Sequence, residues 1–215
     1  MNIAALALLL ALTIAHAGAA LTHAIPPGLA YVRVGELPQD AEAIAAALAS
    51  GAVVLDLRYA KGNAAAADAL DAALAETARR SKALRLILLN SDTAPELRKA
   101  ALRPRPRQLT VAPRSEDLPA DITVNVSAAD ERAAYEALAA GTPLDKLINN
   151  TSEKRRFDEA ALTRSHANGS TPSTDDEAEE DGDEEPEEKE AEKPVVDVVL
   201  QRAVQLQRTL QSRLP

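Results

Sequence analysis

The sequence contains no cysteine. This absence excludes disulfide bonds, thiolate nucleophiles, iron–sulfur clusters, zinc sites built on sulfur and a lipid anchor attached to a cysteine. Only three histidines are present, and His16 lies in the apolar segment at the amino terminus. With so few histidines, the residue content argues against a Ser-His-Asp triad and against a His-rich metal site. We therefore expect no metal or cofactor.

Aromatic residues are also scarce, with no tryptophan, one phenylalanine and three tyrosines. So few rings offer little surface on which bases could stack, and no basic patch is interleaved with aromatics. We therefore expect no nucleic-acid binding. The net charge of −9 is concentrated in residues 175–193, which hold thirteen acids and two lysines. The rest of the chain is close to neutral.

The first fourteen residues carry no charged side chain and are rich in Leu and Ala, and small residues at Ala-x-Ala spacing follow at Ala15, Ala17 and Ala19. This layout is typical of a secretory signal peptide, although Lys and Arg are missing before the apolar core. The core is shorter than the roughly 20 residues of a membrane span. We expect residues 1–19 to be a signal peptide, with a new amino terminus between Gly18 and Leu21. The mature protein is then expected to be periplasmic or secreted and free of the membrane. An uncleaved anchor or a buried helix is the alternative.

Residues 22–167 have the pattern of one α/β domain. Strands are predicted at 31–34, 52–57 and 84–90, and the last two are continuous apolar runs typical of parallel strands buried on both faces. Helices are predicted between them, with Gly51 ending the first and Asn63 capping the second. Two strand–helix–strand units in succession predict right-handed crossovers and a mostly parallel sheet. Weaker signals predict strands at 108–111 and 122–126, a helix starting at Ser127, and helices at 144–148 and 154–165.

The remainder of the chain changes character twice. Residues 168–194 consist largely of Ser, Thr, Gly and acids, a composition that predicts a disordered acidic linker. Residues 195–215 carry apolar side chains at helical spacing, which predicts a C-terminal amphipathic helix. Its apolar stripe must be buried against the core of the domain or against a protein partner, and no other partner is indicated.

Four segments, taken in order, resemble the protease domain of the tail-specific, or carboxy-terminal processing, serine proteases. They are residues 28–34, 53–58, 86–96 and 197–203. The second is the most specific because Leu55, Asp56, Leu57 and Arg58 match the family's Leu-Asp-Leu-Arg signature residue for residue. The resemblance implies a crotonase-like fold and a relationship to serine peptidases.

The departures from this family bear on catalysis. The family has a Gly-Gly turn after the signature arginine that contributes to the oxyanion hole, whereas only Gly62 is found here. The turn Thr93, Ala94, Pro95, Glu96 aligns Pro95 with the nucleophile, and proline supplies neither a hydroxyl nor a backbone N–H. Residues 103–113, where the general-base lysine is expected, contain no lysine. The resemblance therefore implies a non-catalytic binding or scaffold module, or a remnant of a protease.

Two alternatives remain open. Ser91 and Lys99 are candidates for a relocated Ser-Lys pair, which would make the chain a working serine-type peptidase. Asp56 and Arg58 are either a functional pair or a structural ion pair, and the family's use of these residues to organise the sheet edge favours the structural role.

The same Thr93-to-Glu96 sequence also predicts a capping box that opens a short helix. The acidic tract lacks the ligand spacing of a calcium loop and is interpreted as a solvated tether.

Overall fold

The computed structural model describes residues 20–149 and 195–211. The predicted signal peptide at 1–19, the predicted helix at 154–165 and the predicted linker at 168–194 lie outside the described residues. So do residues 212–215 of the predicted terminal helix.

The described residues form a six-stranded sheet whose strands lie side by side in sequence order. The first strand pairs antiparallel with the second, and every other pair is parallel. This confirms the α/β class and the mostly parallel sheet. The strands are β1 (Leu21–Ile25), β2 (Leu29–Arg33), β3 (Ala52–Asp56), β4 (Arg85–Leu88), β5 (Gln108–Pro113) and β6 (Ile122–Val124).

Helices cover both faces of the sheet. Three of them connect successive parallel strands and build one apolar core with the sheet: α1 (Ala41–Ser50), α2 (Ala64–Arg80) and α3 (Pro95–Ala101). The other three build a second core on the opposite face: α4 (Ala128–Ala139), α5 (Leu144–Ile148) and α6 (Val198–Gln211). Strands β3 and β4 are buried on both faces, which explains their continuous apolar sequences.

Several local signals are confirmed. The side chain of Asn63 accepts a hydrogen bond of 3.0 Å from the backbone N–H of Ala66 and so caps α2. Ser127 caps α4 through the N–H of Asp130, also at 3.0 Å. Gly51 follows α1 with a φ of 130°, a conformation that side chains rarely permit. Asn63 and Ser127 thus begin their helices, and Gly51 ends α1 just before the chain enters β3.

The predicted capping box at α3 is wrong. The helix begins at Pro95, its N-cap is Ala94, and no side chain caps it. The hydroxyl of Thr93 instead donates to the carbonyl of Leu57 at 2.9 Å and accepts from the N–H of Asn90 at 3.1 Å. A proline at the first helical position needs no N–H partner, so this helix can start without a side-chain cap.

Strand β1 was not predicted from the sequence. It has only five residues and pairs along one edge alone, with β2. Its alternation of half-buried and exposed positions from Leu21 to Ala24 is too short to stand out beside the apolar leader. The strand starts at Leu21, so processing between Gly18 and Leu21 would leave it intact.

No helix within residues 20–149 and 195–211 combines the length and apolar character that crossing a membrane requires.

Helix α6 covers the sheet of its own chain. Val199, Leu200, Ala203 and Val204 are each no more than 2 % exposed, and the helix packs on β4, β5 and α5. Of the two expectations for the apolar stripe, burial against the core is the one that the structure displays. The C-terminal segment is therefore part of the domain core.

Candidate functional site

The signature residues lie where β3 ends, and strand geometry separates them into two sets. Successive side chains of a strand point to opposite faces, so Leu55 and Leu57 share one face while Asp56 and Arg58 share the other. Both leucines join the core formed with α1, α2 and α3. Asp56 and Arg58 face the second layer, and both are fully buried. The four residues from Leu55 to Arg58 thus contribute side chains to both faces of the sheet.

Arg58 is held by two carboxylates in paired contacts. Its Nε and Nη2 donate to the two oxygens of Asp56 at 3.0 and 2.7 Å. Its Nη1 and Nη2 donate to the two oxygens of Asp197 at 3.1 and 2.7 Å. Burial alone would lower the pKa of the Arg58 guanidinium, but the charges of Asp56 and Asp197 outweigh burial and raise it. The structure therefore contains an ion pair between Asp56 and Arg58, extended by a second acid.

Asp197 connects this arginine to the C-terminal helix. Its Oδ1 also accepts the N–H of Leu200 at 2.9 Å, and this contact caps the first turn of α6. Its own backbone N–H donates to the carbonyl of Leu147 in α5 at 3.0 Å. One buried carboxylate thus fixes the start of α6 against both the sheet and α5.

A third acid, Glu131 from the first turn of α4, completes the cluster. Its Oε1 lies 3.4 Å from Nη1 of Arg58. Its Oε2 accepts the hydroxyl of Tyr59 at 2.5 Å and the side-chain amide of Asn90 at 3.4 Å. Tyr31 adds a hydrogen bond of 2.8 Å to Asp56. We call Asp56, Arg58, Glu131 and Asp197 the Arg58 cluster.

Aromatic rings and cations cover the Arg58 cluster on the side of α4. The rings of Tyr59 and Tyr135 lie 4.6 Å apart. The Arg33 guanidinium lies 3.4 Å from the centre of the Tyr135 ring, and that of Arg132 lies 4.4 Å from the centre of the Tyr59 ring. Tyr59 has a φ of 60°, a left-handed conformation that aims its ring at α4. This cover separates the buried charges from solvent and explains two of the three tyrosines.

Burial raises the pKa of Glu131 above its ordinary value of 4.5, whereas the hydrogen bond from Tyr59 and the charge of Arg58 act in the opposite direction. A raised pKa in the folded state stabilises the fold at low pH, and this contribution is lost as the pH rises through that pKa. The slope for one proton is at most about 1.4 kcal/mol per pH unit. The variant Glu131→Gln has no carboxyl group at this position and therefore does not take up or release this proton.

We therefore expect the free energy of unfolding of the wild type to fall relative to Glu131→Gln as the pH rises from 4.5, and the difference to level off above the raised pKa. Urea unfolding of both proteins across this pH range measures the difference, and the titration of all other groups cancels in it. A difference that is independent of pH, or one that rises with pH, would show that Glu131 ionises without penalty.

The turn Thr93 to Glu96, which the resemblance aligns with a nucleophile, is built into the fold. Thr93 is 1 % exposed and its hydroxyl is already bonded to Leu57 and Asn90, while Pro95 opens α3. Glu96 lies exposed in the first turn of that helix. The structure therefore leaves no free hydroxyl in this turn.

The alternative pair, Ser91 and Lys99, is not joined in the described structure. Both side chains are exposed, and no hydrogen bond links them. Ser91 precedes α3, whereas Lys99 lies more than one turn inside it. A Ser-Lys mechanism needs the two groups within hydrogen-bond reach, and this geometry does not provide it.

An open cleft of about 470 Å³ lies beside Pro95. Its walls include the cations Arg98, Lys99 and Arg103 and one acid, Asp117, and its apolar part includes Leu102 and Leu118. None of the described side chains that line it carries a hydroxyl or an imidazole. The three cations outnumber the one acid, so the cleft is suited to attracting an anionic ligand, and its described lining supplies neither a hydroxyl nor an imidazole nucleophile.

The three acids of the Arg58 cluster do not form a metal site. Among the residues described, no group of three or more His, Cys, Asp or Glu side chains could hold a metal ion. The guanidinium of Arg58 occupies the space between the carboxylates and neutralises them directly. The arrangement binds together the sheet, α4 and α6.

Sequence reasoning found Asp56 and Arg58 but missed Glu131, Asp197 and Tyr59 as members of the site. Asp197 could have been noticed because it is a single acid within the apolar sequence Pro-Val-Val-Asp-Val-Val-Leu. Glu131 has no such signal, since its neighbour Asp130 is also acidic and stays on the surface. Contacts between residues so distant in the chain are visible only in the folded structure.

Comparison with known proteins does not identify a family. No protein-family model matches the chain, and no curated protein is significantly similar to it.

Proposed function

We propose that this chain is an exported, non-catalytic domain related to the tail-specific serine proteases, with a crotonase-like core, and that it acts as a binding or scaffold module. One observation carries the proposal. The turn Thr93 to Glu96, which the resemblance aligns with the nucleophile of that family, makes structural contacts within the described fold. Arg58 is buried among acids and Thr93 among backbone groups.

The turn after Arg58 supports this proposal. Acyl transfer needs backbone N–H groups that are free to bind the developing oxyanion. The N–H groups of Tyr59, Ala60 and Lys61 are instead bonded to Asn90 Oδ1, the Leu57 carbonyl and the Gly35 carbonyl, at 3.2, 3.0 and 2.9 Å. The N–H of Ala94 is likewise bonded to the carbonyl of Ala60 at 3.0 Å. These donors are occupied within the fold.

Gly62, the single glycine retained in this turn, has a packing role. A Cβ atom built at this position would lie 3.0 Å from a methyl carbon of Leu97 in α3, closer than ordinary contact. The glycine thus lets α3 approach the turn. Its presence therefore does not imply that an oxyanion hole survives.

We expect the purified protein to hydrolyse neither peptides nor simple esters and to remain unlabelled by a broad fluorophosphonate probe. Loss of the nucleophile alone reduces turnover by roughly 10⁶-fold in a comparable serine hydrolase, and base and oxyanion donors are also missing here. The variant Pro95→Ser should remain inactive as well, because it restores a hydroxyl without a base.

The matched control for this experiment is Ser91→Ala, which removes the relocated nucleophile of the rival interpretation. Probe labelling or saturable hydrolysis by the wild type that disappears in Ser91→Ala would overturn the proposal. It would place the chain among the serine-type peptidases with a relocated nucleophile.

A further inference from the structure

The outer side of α3 and the loop after it carry a concentration of positive charge. Residues 98–107 contain five cations and no acid. We define the cationic surface as these five residues together with Lys82 from the loop after α2: Lys82, Arg98, Lys99, Arg103, Arg105 and Arg107.

Contacts join these residues into one surface. Arg98, Lys99 and Arg103 line the cleft beside Pro95. Arg103 and Arg105 share the carboxylate of Asp71. Arg107 donates to the backbone carbonyl of Lys82 at 2.6 Å. The surface therefore extends continuously from α3 to the end of α2.

The acids beside this surface, Asp71 and Asp117, are fewer than its six cations. Asp71 is shared between two guanidiniums, and Arg98, Lys99 and Arg107 form no ion pair within the described residues. Arg85 lies buried beneath the surface, where it donates to backbone carbonyls and has no carboxylate partner among the described residues. Burial, together with the charges of Arg105 and Arg107, lowers its pKa. Like charges held this close favour an anionic partner.

We propose that the cationic surface binds the chain's own acidic segment, residues 175–193. That segment holds thirteen acids, so its charge is complementary to a surface whose cations outnumber its acids. Attachment to the same chain gives the acids an effective concentration on the order of millimolar, which favours this occupant over an anion from solution.

The length of the chain permits this contact. The acidic segment ends next to Val195, close to the start of α6, and α6 has 14 residues, a length of about 21 Å. The far end of α6 shares a cleft with Lys82, since Gln211 and Lys82 line it together. An extended chain spans up to about 3.3–3.6 Å per residue, so roughly seven residues bridge that distance. Acids in the middle of the segment can therefore reach the cationic surface.

Zero-length carbodiimide crosslinking of the full chain, read by mass spectrometry, tests this proposal because it joins a lysine amine to a carboxylate in direct contact. Four described lysines are exposed and serve as reporters: Lys61, Lys82, Lys99 and Lys146. We expect acids of 175–193 to crosslink to Lys82 and Lys99 roughly tenfold more than to Lys61 and Lys146, given the local concentration that docking creates. Dilution of the protein should not reduce these links. These links should disappear at 1 M salt, because the Debye length, over which charges attract each other, is then only about 3 Å.

Lys146 makes the test selective, because it lies three residues before Asn149, where the described part of the domain ends. Tethering without docking would favour Lys146, and that result, or an even distribution over the four lysines, would overturn the proposal. Links that grow with protein concentration would also overturn it, by assigning the acids to a second copy. The double variant Arg98→Glu, Arg107→Glu should lose the links to Lys82 and Lys99. The control Arg114→Glu, Arg202→Glu changes two exposed arginines outside this surface and should keep the links. If the first variant fails to fold, the salt dependence of the wild type decides the question.

Discussion

Replacing Arg58 by methionine is expected to lower the free energy of unfolding by about 3–5 kcal/mol, the usual cost of removing one partner of a buried ion pair. Methionine fills much of the same volume but leaves Asp56 and Asp197 buried without their cation. Both carboxylates are at most 2 % exposed, so water cannot replace the lost charge. Unfolding in guanidinium chloride, followed by circular dichroism, measures the change.

The matched control is Arg79→Met, which removes an arginine with the same substitution from an exposed ion pair. Arg79 is 70 % exposed and pairs with Glu76 within α2. Exposed pairs of this kind contribute at most about 1 kcal/mol. If Arg58→Met were no more costly than this control, the Arg58 cluster would not hold the fold together.

The variant Leu200→Asp is expected to destabilise the domain by at least about 3 kcal/mol, because it removes a buried leucine and introduces a charge into an apolar layer. Leu200 is fully buried in the core between α6 and the sheet. A loss of this size lowers the melting temperature by roughly 2–4 °C per kcal/mol for a domain of 150–250 residues. Thermal unfolding of the full chain measures it.

Two further variants on α6 test whether the loss of stability follows the burial of the substituted side chain. Leu206 is half-buried, so Leu206→Asp should cost less than Leu200→Asp, and Gln205 is exposed, so Gln205→Asp should be nearly neutral. Equal melting temperatures for Leu200→Asp and Gln205→Asp would mean that α6 does not dock on its own chain in solution. The apolar stripe would then serve a protein partner.

The central part of the fold could be predicted because its signals are local. The apolar runs of β3 and β4 are continuous, and Asn63 and Ser127 mark helix starts through hydrogen bonds to residues only three positions away. The alternation of strands and helices then implies a parallel sheet. Strand β1 was missed although its partner is local, since Ile25 pairs with Leu29 across residues 26–28. Its short alternation does not stand out beside the apolar leader.

The site was only half predictable for the same physical reason. Asp56 and Arg58 are two residues apart on one strand, so strand geometry alone places them on one face. Glu131 and Asp197 reach Arg58 from 73 and 139 residues away, and no short-range pattern encodes such contacts. The capping box was mispredicted because Thr93 bonds to the distant carbonyl of Leu57 in preference to its own helix.

The most direct test of our central claim, that Arg58 joins the sheet to α6, is a double-mutant cycle of Arg58→Met and Asp197→Asn. Asparagine keeps one side-chain oxygen that can cap α6 at Leu200, while it removes the charge and replaces the other oxygen by an NH2 group. Denaturant unfolding of the wild type, both single variants and the double variant gives the coupling energy. We predict a coupling of about 1–3 kcal/mol, with the double variant less destabilised than the sum of the single variants. Additivity within about 0.5 kcal/mol would contradict the claim, because residues that do not interact behave in that way.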